Sequence, residues 1–171
     1  KVLLENGGDV NQANNRGTTP VFISSQQGHT AALKLLLEKG GDVNQANNKG
    51  WTPVCIASYR GHTAALKLLL ENGADVNKAD NEGYAPMYVA AQEGHTNVLK
   101  LLLENGGDAN HATNKGCTPV LVASEQGHTA ALKLLLENGG DANQAANDGQ
   151  TPVFVAAQNG HTAALRLLLE N

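Results

Sequence analysis

A chain of 171 residues that is 41% apolar has the material for a packed core, but with only 4% aromatic residues that core must be built mainly from Leu, Val and Ala. The formal charge of −4 comes from 16 acidic and 12 basic residues that alternate along the chain. There is no basic stripe of the kind that neutralises phosphates, which excludes nucleic acid as an expected partner, and no apolar run approaches the roughly 20 residues of a membrane span.

Read in chain order, the sequence repeats itself. Glycines recur at Gly17, Gly50, Gly83, Gly116 and Gly149, prolines at Pro20, Pro53, Pro86, Pro119 and Pro152, and histidines at His29, His62, His95, His128 and His161, always 33 residues apart. The period divides residues 1–171 into a partial unit at 1–13 and repeats at 14–46, 47–79, 80–112, 113–145 and 146–171, all in one array.

Each repeat contains the same three elements. The segment from Thr52 to Gly61 predicts a first helix of about two turns, with Thr as cap, Pro at the first helical position and Gly as the stop. Thr63 to Asn72 predicts a second, antiparallel helix, because Leu66, Leu69 and Leu70 share one face and Asn72-Gly73 ends the run. The polar stretch from Ala74 to Gly83 is rich in turn residues and predicts a projecting finger. So small a helix pair cannot bury its apolar face alone, and stacking neighbours predict an all-α solenoid with a continuous leucine core. Small residues such as Ala90 and Ala91 let the first helices approach closely, which places first helices and fingers on the concave side.

The order G-x-T-P-V, then A-S or A-A, then G-H-T-A-A-L-K-L-L-L-E-N-G-x-D-x-N resembles the ankyrin repeat over the whole chain. A tetratricopeptide array would have a period of about 34 and no finger. Two departures stand out. The resemblance implies a His after T-P-L, but Phe22, Cys55, Tyr88, Leu121 and Phe154 occupy that place, so apolar packing is expected there. Ala85 stands where the other repeats have Thr, which removes a helix cap worth about 1 kcal/mol. Neither end carries a polar capping repeat: Lys1 falls midway through an expected helix, and the chain stops just after Leu167, Leu168 and Leu169. The sequence therefore reads as an excised middle whose apolar ends could stack copies end to end.

Nothing in the sequence points to an enzyme, a metal or a cofactor. The recurring histidines come one per repeat, and stacked helices lie about 10 Å apart, too far for them to share an ion, so a structural role at the junction of the two helices is expected. The lone His111 reads as a solvated finger residue. Asp75, Asn77 and Asp80 lack the spacing and glycine of a calcium loop. Ser24, Ser58 and Ser124 read as small packing residues bonding back to the preceding turn. Cys55 and Cys117 occupy unrelated repeat positions, as apolar fillers do. With no Asn-x-Ser/Thr acceptor and no signal peptide, they suggest an intracellular, cytoplasmic address.

Function is sought instead where the repeats disagree. The residues flanking the finger glycine are Arg16/Thr18, Lys49/Trp51, Glu82/Tyr84, Lys115/Cys117 and Asp148/Gln150. The two residues ending the first helix are Gln26/Gln27, Tyr59/Arg60, Gln92/Glu93, Glu125/Gln126 and Gln158/Asn159. The resemblance implies that both sets face a protein partner. Trp, Tyr and Arg are the residue types that most often anchor interfaces. The candidate binding residues are accordingly Lys49, Trp51, Tyr59, Arg60, Glu82, Tyr84, Gln92, Glu93 and Lys115. The competing reading is a structural spacer or assembly array with no specific partner.

Overall fold

The computed structural model describes residues 7–171, which form ten helices in five successive pairs and no strand. α1 (Pro20–Gln26) pairs with α2 (Thr30–Glu38), α3 (Pro53–Tyr59) with α4 (Thr63–Glu71), and α5 (Pro86–Gln92) with α6 (Thr96–Glu104). α7 (Pro119–Gln126) pairs with α8 (Thr129–Glu137), and α9 (Pro152–Gln158) with α10 (Thr162–Glu170). This is the expected all-α solenoid. The helix expected around Lys1 lies outside the described residues.

The local signals work as the sequence implied. The hydroxyl oxygens of Thr19, Thr52, Thr118 and Thr151 accept from the N–H three residues on, at 3.1–3.2 Å. Ala85, with the same extended backbone, makes no such bond. Leu33, Leu66, Leu69, Leu99, Leu102, Leu132 and Leu135 are fully buried in one cluster that runs from Val21 to Leu168. First helices pack on one another more extensively than second helices do.

Burial belongs to the junctions between repeats. The residue after T-P-V faces the finger that leads into the following repeat: the Cys55 thiol lies 3.5 Å from the carbonyl of Lys78, at the end of its own repeat, and 3.7 Å from that of Tyr84 in the next. Phe22, Cys55, Tyr88 and Leu121 are buried there, but Phe154, expected to be packed likewise, is 54% exposed because no helix among the described residues lies over it.

The histidines stand at the junction of the two helices, as expected, each the residue before a second helix, with His62 N donating to Ala57 O at 2.9 Å; their rings also act between repeats. The Nε2 atoms of His62, His95, His128 and His161 sit 3.0–3.1 Å from the carbonyls of Gln26, Tyr59, Gln92 and Glu125 in the preceding repeat. A carbonyl only accepts, so Nε2 carries the proton. This close approach needs glycine opposite. Gly61 has φ of 73°, and a Cβ on it would lie 2.8 Å from the His95 ring.

Asparagines continue the same principle. Asn44 donates its amide to the Gly73 carbonyl at 3.3 Å and accepts from Asp75 N at 2.8 Å, and Asn77 repeats both bonds one unit on, with Gly106 and Asp108. Asp75 in turn caps Asn77 N at 2.9 Å, so these residues brace the array. The serine expectation needs correction. Ser124 does bond back to Val120 O at 2.8 Å, but its counterpart in the first repeat is Ser25, bonded to Val21 O, and not Ser24. Ser58 Oγ, at the same register, is buried without a partner.

Candidate partner-binding groove

The fingers form a hydrogen-bonded row alongside the first helices. Asn48 N donates to Arg16 O, Asn81 N to Lys49 O, Asn114 N to Glu82 O and Asn147 N to Lys115 O, at 2.9–3.2 Å. The Nδ2 groups of the same asparagines reach the preceding finger's Asn15, Asn48, Asn81 and Asn114 carbonyls. Within a finger, Asn47 Oδ1 accepts from Lys49 N at 2.9 Å and Trp51 N at 3.1 Å. Asp80 Oδ1 does the same for Glu82 N and Tyr84 N, both at 2.9 Å. The backbone is thus fixed on either side of each finger glycine, while the side chains there are free to differ.

The opposite wall is fixed by the histidines. Tyr59 and Gln92 offer their carbonyls to His95 and His128 of the next repeat, which leaves their side chains to face the fingers. The repeated residues therefore hold the main chain of the varied ones.

Between these walls the aromatics meet. Trp51 and Tyr59 stack edge to face with ring centroids 5.5 Å apart, and the Arg60 guanidinium lies 5.3 Å from the Tyr59 centroid. Tyr84 tilts against Tyr88 at 5.1 Å. Tyr88 is buried, and that burial, with Cys117, Tyr84 and Glu125 nearby, holds its phenol well above the usual range. It is a neutral packing residue, as its register implied. Trp51, Tyr59, Tyr84, Val89 and Gln92 line one hollow of about 400 Å³. A larger one, about 640 Å³, adjoins it between Trp51, Tyr59, Lys49, Arg16, Phe22 and Ile23.

Of the candidate residues, Trp51, Tyr59, Tyr84 and Gln92 are half-buried and share one hollow. Lys49 and Glu82 stand exposed with Trp51 and Tyr84 around a third hollow among the fingers. Arg60 and Glu93 are exposed at the ends of their helices, and Lys115 stands exposed one finger beyond Glu82. Sequence reasoning passed over Ile23. It is 44% exposed in the larger hollow, whereas Ile56, Val89, Val122 and Val155 at the same register are buried. No first helix among the described residues precedes α1 to cover it.

A family model described as ankyrin repeats, in three copies, matches residues 1–80, 42–112 and 87–171, which together take in the whole chain. The chain belongs to the ankyrin-repeat family. No curated protein matches it. Ankyrin repeats are in general protein-interaction modules, and the family is typically non-enzymatic. No helix among the described residues of this ankyrin array is long and apolar enough to cross a membrane. Its second helices carry solvated charge, including the exposed pairs Lys67–Glu71 and Lys133–Glu137 at 3.9 and 3.8 Å.

Proposed function

We propose that the array binds a protein partner along the groove between its fingers and first helices, with Trp51, Tyr59 and Tyr84 as anchors and Lys49, Arg60, Glu82, Gln92, Glu93 and Lys115 around them. The observation that carries this is the convergence of three half-buried aromatic residues from two repeats on one hollow of about 400 Å³. Rigid aromatic side chains offer large contact area at little entropic cost, and a hollow between them accepts a partner's apolar side chain. The free thiols of Cys55 and Cys117 suit a reducing, intracellular setting.

The test compares affinity-captured partners of three arrays: the parent, a Trp51→Ala/Tyr59→Ala/Tyr84→Ala variant, and a Lys67→Ala/Lys133→Ala control on the opposite face. Loss of the three anchors is expected to weaken capture at least about tenfold while the control retains it. Equal capture by all three would place the binding surface outside this hollow, and capture by none would favour the spacer reading.

A further inference from the structure

The groove is electrically polarised along its length. The varied positions of the first two repeats carry Arg16, Lys49 and Arg60 and no acid, whereas those of the last three carry Glu82, Glu93, Glu125 and Asp148 against the single base Lys115. All of these side chains are exposed. Among the described residues the ion pairs are Lys67–Glu71 and Lys133–Glu137, both on second helices, so the groove charges are not spent on one another. The aromatic hollow of Trp51, Tyr59 and Tyr84 lies where the sign changes.

Building on the groove reading above, we propose that the array takes an extended segment of a partner protein that is acidic where it crosses Arg16, Lys49 and Arg60, bulky and apolar over Trp51 and Tyr84, and basic where it crosses Glu93 and Glu125. The dimensions fit. Repeats stacked about 10 Å apart set the two charged ends roughly 30 Å from one another, a span that about nine extended residues cover. A uniformly charged segment would meet like charge at one end, and like-charge juxtaposition across an interface is strongly disfavoured. The apolar centre supplies affinity, and the polarity selects which segments enter.

Trp51 is the only tryptophan in the chain, so its emission reports occupancy of the hollow directly. The probes are synthetic peptides of about eleven residues, a length set by the span above. They share one Leu-Tyr-Leu centre, with flanks that are acidic and basic, acidic on both sides, basic on both sides, or Gly-Ser. At low salt the mixed-charge peptide should bind about tenfold tighter than the other three, and added salt should remove most of the difference. A Lys49→Glu/Arg60→Glu variant should shift the preference to the peptide that is basic on both sides. If the Gly-Ser peptide binds as tightly as the mixed one, the charge selection is overturned while the groove reading survives. If no peptide perturbs Trp51 emission, both fall.

Discussion

Phe22 and Phe154 are the same residue at the same position of the first and last repeats, yet Phe22 is 4% exposed and Phe154 54%. What separates them is the neighbour: another first helix lies over Phe22, and none among the described residues lies over Phe154. Burial in this fold is therefore a property of the junction and not of the repeat, as nearest-neighbour stacking requires. The junction is also what holds the main chain of the groove residues, through the histidine and asparagine bonds that cross it.

The largest test of this comparison is to truncate both phenylalanines. Phe22→Ala should lower the unfolding free energy by about 3–5 kcal/mol, and Phe154→Ala by about 1 kcal/mol or less, read from urea denaturation. Similar losses would mean that the stack does not make the difference. Glycines give a second pair. Gly61 and Gly160 share a φ of 73°, but a Cβ on Gly61 would strike the His95 ring, while one on Gly160 would meet nothing within 4 Å. Gly160→Ala should therefore cost only the left-handed backbone strain, about 1–2 kcal/mol. Gly61→Ala should cost about 1–3 kcal/mol more as His95 is pushed off the Tyr59 carbonyl.

A change confined to one repeat should have a smaller effect. Ala85→Thr restores the cap that Thr52 makes with Cys55 N at 3.1 Å, and should add about 1 kcal/mol, raising the melting temperature by about 2–4 °C in a thermal melt. The Thr side chains at this register in the first, second and fourth repeats are themselves buried, so the site has room for the hydroxyl. An unchanged or lower melting temperature would mean that the third repeat has adapted around alanine.

A last effect is confined to alkaline pH. Burial pushes the Cys55 thiol from the ordinary 9.0 up to about 12. Between those values the unfolded chain loses its thiol proton and the folded one keeps it, so the contribution is intact below 9.0 and fades as pH rises toward 12. A Cys55→Val array should show a shallower loss of stability over that range. An identical slope would place the alkaline sensitivity elsewhere, the similarly raised Tyr88 phenol being the next group to replace.

Much of the fold was legible because its signals are local. The Thr-Pro start, the leucine spacing and the glycine stops act within a few residues of one another, and even the missing cap at Ala85 could be read from one letter. The candidate groove residues were legible for a different reason: they differ while the frame around them repeats. The place of the histidines between the two helices was legible too, but the reach of their rings to the preceding repeat was not, since His95 and the Tyr59 carbonyl are 36 residues apart and no local pattern pairs them. Ser24 was read in place of Ser25 because the bond to the preceding turn follows helix phase, which one position changes.

By itself the sequence determined the period, the elements within each repeat and the positions where the repeats vary, all consequences of short-range sterics and hydrogen bonding. Only the stacked structure decided which identical residues are buried, as Phe22 and Phe154 show. It also decided that Trp51, Tyr59 and Tyr84 enclose one hollow. Those outcomes depend on contacts between residues about one repeat apart, which exist only once one repeat lies against the next.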